Sequence, residues 1–136
     1  MIHRGIHFLG LSAQGAELSA YHLEARIAYW HCQKDDTPDK WVDILQLYDQ
    51  LLLINYSPAV ALNRAYAFFK VHGRQAGLAE VEKLKLDNNH FYFLLLGELY
   101  SSGDRLKAKS NFQKALALAK TAIEKKVIQE RINRLV

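Results

Sequence analysis

Proline and glycine are scarce in this 136-residue chain. There are two prolines and seven glycines, together about 7% of the residues, against roughly 12% in an average protein. Few breakers means long helices. Long apolar runs are also missing: the longest is the six residues Phe91 to Leu96, where a membrane-spanning helix needs about 20. Cys32 is the single cysteine, so no intrachain disulfide can form, and a thiol-reducing, cytoplasmic setting fits. No apolar segment ending at a small-residue cleavage site follows Met1, so no secretory signal is expected. Half of the residues are hydrophobic and 24% are charged, which argues against a disordered tail and fits one domain with its own core.

Charge is distributed unevenly. Residues 1–100 hold 9 Lys/Arg against 11 Asp/Glu, a net of −2, whereas residues 101–136 hold 9 against 3, a net of +6. The basic face expected there comprises Lys107, Lys114, Lys125, Lys126, Arg131 and Arg134. Such an end can attract an acidic protein surface or nucleic acid, although a solvated lysine face is the plainer expectation.

Apolar residues recur with a period of 3.6, and no long stretch alternates, so the expected fold class is all-α, with about eight helices in stacked antiparallel hairpins. Thr37-Pro38 and Ser57-Pro58 each set a capping hydroxyl before a proline, the pairing expected at an N-cap and first helical turn. The expected helices are Ile2 to Ala13, ending near Gly15, then Ser19–Gln33, Pro38–Ile54, Pro58–His72, Arg74–Leu86, His90–Ser101, Arg105–Lys120 and Ala122–Leu135. Tyr21, Ala25, Ala28 and Cys32 are taken as the inward face of the second helix. Trp41, Ile44, Leu45, Tyr48, Leu51 and Leu52 form the stripe of the third. Ile123, Val127, Ile128, Ile132 and Leu135 form that of the last.

The sixth and seventh helices resemble a tetratricopeptide repeat. Phe93, Leu96-Gly97 and Tyr100 match its first helix, and Ala108, Phe112 and Ala115 match its second, set one residue early. Gly97 and Ala108 would let the helices touch while Tyr100 and Phe112 fill the flanks. Ala61, Ala65, Phe68, Gly77, Val81 and Leu84 make a weaker copy. The expected organisation is one domain: helices over 1–57, two repeat-like hairpins over 58–120, and a capping helix over 121–136.

Chemistry is sparse. His3 and His7 share a helix face without a third ligand, so no metal site is expected. His31 and Cys32 are adjacent and point about 100° apart on a helix, so they cannot form a nucleophile–base pair, and a buried structural Cys32 is expected. Glu80 and Glu82 face different sides. No phosphate-loop, dinucleotide or nucleophile-elbow motif occurs, and neither catalysis nor a cofactor is expected. Asp49 and Arg64 could pair across adjacent helices. A small-molecule pocket could be lined by His22, His31, Tyr48 and Arg64, and Asn63 with Arg64 could clamp a loop. With Asp49, these six are the candidate partner or ligand surface.

The text W-x-x-I-x-x-L-Y-D-x-L-L from Trp41, S-P-x-V-A-L-N-R-A from Ser57 and V-H-G-x-x-A-G-L from Val71 goes beyond generic helices. With Tyr21 to Ala28, Ala108 to Ala119 and Glu124 to Leu135, it resembles one region: the C-terminal tetratricopeptide-like extension of a subgroup of extracytoplasmic-function (ECF) RNA polymerase sigma factors. The resemblance covers about Arg4 to Leu135. It implies a regulatory protein-interaction domain in bacterial transcription initiation, cut off from the upstream domains that bind polymerase and read promoters. The implied partners are those sigma domains, core RNA polymerase or a regulator, with DNA within reach of the basic final helices. Tyr66-Ala67-Phe68-Phe69 stands where that family tends to small aliphatics, and lysine is more abundant, so a partner surface could differ. A stand-alone repeat adaptor and a small-molecule sensor are the alternatives.

Overall fold

The computed structural model describes residues 8–135, and every regular element among them is an α-helix. In chain order these are α1 (Phe8–Cys32), α2 (Pro38–Ile54), α3 (Pro58–His72), α4 (Arg74–Leu84), α5 (His90–Tyr100), α6 (Arg105–Leu118) and α7 (Ala122–Arg134). The chain divides into two compact units, Met1–Ala67 and Phe68–Val136.

Helix starts follow local chemistry. The Thr37 side chain accepts from the Lys40 backbone N–H at 3.3 Å with Pro38 at the first helical position, and Ser57 accepts from the Val60 N–H at 3.1 Å. Asn89 caps α5, Asp104 caps α6, and Thr121 with Glu124 forms a reciprocal capping box on α7. Gly73, at φ 97°, joins α3 directly to α4 in a conformation that glycine tolerates.

In the first unit α1 packs on α2. Two expectations for α1 fail. The helix runs through Gly15 without a break. One interior glycine costs about 1 kcal/mol relative to alanine, too little to end a helix that neither a proline nor a turn interrupts. The expected first helix extended over residues 2–7, which lie outside the described residues. The buried face is Ala20, Leu23 and Ile27, whereas Tyr21 is 65% exposed and Ala25, Ala28 and Cys32 are exposed too. The cause is two apolar stripes on opposite sides of one helix, both spaced by threes and fours. Periodicity cannot choose between them, and α2 does. Cys32 is therefore not a structural core residue.

In α2, Trp41, Ile44, Leu47, Tyr48 and Leu51 are buried. Leu47 joins the expected stripe, and Leu45 and Leu52 sit at its half-buried edge. Lys40 is buried as well: its ammonium donates to the Gln33 carbonyl at 2.9 Å and lies over the Trp41 ring. This ties down the link between α1 and α2.

The second unit is built on the α5–α6 hairpin, and the motif residues do what their sizes dictate. A Cβ on Gly97 would lie 2.5 Å from the Phe112 ring, so only glycine lets Phe112 seat there. Phe112, Ala108 and Ala115 are buried, forming a core with Ala119 and Ile128 of the next segment. Gly77 repeats the device against Phe69. In α7 the expected inward face narrows: Ile128 is buried and Ile132 and Leu135 flank the core, but Ile123 is 77% exposed and Val127 is also exposed. Positions 128, 132 and 135 form one stripe, and 123 and 127 lie a third of a turn away from it.

Candidate functional site

The six candidate partner-surface residues all fall in the first unit, but they do not converge. Asp49 and Arg64 form the expected ion pair, with the Arg64 Nε donating to Asp49 Oδ1 at 2.8 Å, and this fastens α2 to α3. Asn63 is exposed beside it. Tyr48 is buried on the inner face of α2, and burial pushes its phenol above 10. His31 stands edge-on to Trp41 at 6.1 Å between ring centres. His22 lines a groove of about 390 Å³ with Ala25, Arg26, Tyr29, Trp30 and Asp43. Of the four residues expected to line a ligand pocket, that groove gathers His22 alone. Asp43 receives the Trp30 indole N–H and pairs with Arg26 at 3.4 Å, so its role is to hold α1 on α2.

The basic residues of the second unit separate into two kinds. Lys107 and Lys114 lie over the rings of Tyr100 and Phe93, 5.5 Å and 5.6 Å from the ring centres, and so serve partly as lids on aromatic faces. Lys125 and Lys126 are exposed on α7. Arg131 and Arg134 instead line a cavity of about 460 Å³, joined by Arg105 from the first turn of α6. Its other walls include Glu98 and Ser101 at the end of α5, with Phe112 and Leu135 as apolar surface. Arg131 pairs with Glu98, tying α7 to α5, and Arg105 Nη1 reaches the Leu135 carbonyl at 3.4 Å. Glu98, Ser101 and Arg105 were not among the sequence candidates. They lie at the ends of different helices, and no sequence spacing links them; the structure brings all three arginines of residues 101–136 to this cavity.

At the start of α7 the Glu124 carboxylate accepts from the backbone N–H groups of Lys120 and Thr121, at 2.9 Å and 3.1 Å, and is held below its usual 4.5 by them, aided by His90 at 3.6 Å. Tyr100 donates to Glu82 at 3.1 Å, and burial first, then this carboxylate, push its phenol up. Among the described residues no group of three or more His, Cys, Asp or Glu could hold a metal ion, and no helix is long and apolar enough to cross a membrane. His3 and His7 lie outside the described residues.

Neither a family model nor a solved structure matches this chain. An uncharacterized protein of Rhizobium meliloti (strain 1021) is 36% identical over 120 residues, covering 85% of this chain and 28% of that protein. The chain thus spans less than a third of the length of the relative it matches.

Proposed function

We propose that this chain is a non-catalytic, regulatory protein-interaction domain of an ECF-type sigma factor, acting in cytoplasmic transcription initiation while the promoter-reading domains lie outside it. The observation that carries this is the text from Trp41 to Leu78. Many of its landmarks hold a structural post: Trp41, Ile44, Tyr48 and Leu51 are buried, Ser57 caps α3, Asp49 pairs with Arg64, and Gly77 admits Phe69. These posts fall in both compact units, and the text that carries them is the part resembling the sigma-factor extension. Packed helical hairpins give extended surfaces suited to reading a partner's helix or peptide. A relative several times longer than the matched stretch fits a domain that works within a larger protein.

The test is to isolate the native gene product from cells with an antibody to this domain. A product much larger than this chain that co-purifies with core RNA polymerase supports the proposal. A product of this chain's own size, free of polymerase and of sigma domains, overturns it in favour of a stand-alone adaptor. In the full-length protein, reversing charge at Lys125 and Lys126 tests the basic end. An unchanged salt dependence of transcription would mean that these lysines make no contact.

A further inference from the structure

The last 36 residues carry six lysines and three arginines. All three arginines line the cavity between α5, α6 and α7, and none of the six lysines does. Lysine suffices for a solvated basic face. Arginine is the residue that grips an oxyanion with two parallel N–H bonds. Helix stabilisation accounts for part of the pattern, because Arg131 and Arg134 fall in the last turn of α7, where a cation offsets the helix dipole. It does not account for Arg105, which opens α6, the end where a cation is unfavourable. Within the lining, three guanidinium groups face one carboxylate, Glu98, which is already engaged with Arg131. Among the described residues of the cavity wall, Arg105 and Arg134 have no acidic counterpart, Arg105 donating only to the Leu135 carbonyl. The volume of about 460 Å³ exceeds what one oxyanion fills and lies in the range of small-ligand sites. Phe112 and Leu135 offer apolar surface to the remainder of a ligand.

We propose that this cavity binds a phosphate dianion, free or as the monoester of a small organic molecule, held by Arg105 and Arg134 and bordered by the Glu98–Arg131 pair. This inference stands apart from the transcription reading: either can fail alone. A phosphodiester backbone carries one charge per unit and would follow a surface stripe. Three arginines gathered at the rim of one open cavity, two of them solvent-exposed, match a compact double charge.

The test is calorimetric titration of the full chain at fixed ionic strength with inorganic phosphate, glycerol 3-phosphate and acetate. Saturable binding of the phosphates, with acetate much weaker, is the expected result. The double variant R105Q/R134Q should lose about tenfold or more in affinity. R134K, which keeps the charge and loses the fork, should lose severalfold, and K125Q/K126Q should change it less than about twofold. E98Q should tighten binding by removing the competing carboxylate. R134K and E98Q keep the test decisive if the double variant misfolds. Glycerol 3-phosphate binding well above inorganic phosphate identifies the monoester as the ligand, and equal binding identifies free phosphate. No saturable binding up to about 10 mM overturns the proposal. So does an equal loss in K125Q/K126Q. Binding of a short DNA duplex that needs the same arginines, but with which phosphate does not compete, would assign them to nucleic acid instead.

Discussion

At Gly97 the difference between hydrogen and methyl decides whether α5 and α6 can meet, because the Phe112 ring occupies the space a Cβ would need. G97A should cost about 1–3 kcal/mol, the usual penalty for overpacking a filled core, read from urea unfolding followed by circular dichroism. Gly15 is the opposite case. It sits inside α1 with nothing within 4 Å of its would-be Cβ, so G15A should raise stability by about 0.5–1 kcal/mol. Cys32 supplies a further check at this scale. Being exposed at the end of α1, it should react fully with a thiol reagent in the folded protein, without denaturant. Tyr48, Tyr92 and Tyr100 have phenols raised chiefly by burial. A phenol raised on folding contributes stability that is whole below the unfolded value near 10 and is lost as pH rises through the folded one. Alkaline titration by ultraviolet absorbance should find these three ionising above pH 10, with unfolding setting in alongside.

Among the elements, α2 to α7 were legible in the chain from their 3.6 periodicity, and α2 and α3 also from the capping hydroxyl set before a proline at Thr37-Pro38 and Ser57-Pro58. α1 was not. Its two opposed stripes make inward and outward positions equivalent until a neighbour is chosen, and Gly15 imitates a stop without supplying a turn. The repeat-like α5–α6 hairpin was legible because Gly97, Ala108, Phe112 and Ala115 record a contact in their sizes. The arginine cavity was not, since its walls come from the end of α5, the start of α6 and the end of α7, and no local spacing encodes that meeting. α7 carries a prediction of its own. T121A removes half of the capping box and should cost about 1 kcal/mol. The Glu124 half titrates: its carboxylate is depressed on folding, so its contribution is present above the ordinary 4.5 and is lost as pH falls through the lower folded value. The stability difference between wild type and E124Q should therefore shrink on acidification below pH 4.5, as measured by thermal unfolding across that range.

For the whole molecule, the net charge of +4 conceals a basic last quarter and a slightly acidic remainder. Retention on a cation exchanger should therefore depend on the final helices. K125E/K126E, which brings the net charge to zero, should elute at distinctly lower salt than wild type, and a similar pair of reversals before residue 100 should shift elution less. An equal shift from both would mean that the column senses total charge alone.

Lys40 is the only charged side chain in the buried set among the described residues, with its ammonium spent on the Gln33 carbonyl. An amine that must leave such a seat before it can react has a built-in delay. Under brief acylation, followed lysine by lysine in a mass spectrometer, Lys40 should lag behind the exposed lysines Lys125 and Lys126. Its rate then counts how often the link between α1 and α2 comes undone, which makes this side chain a clock for local opening in the native protein.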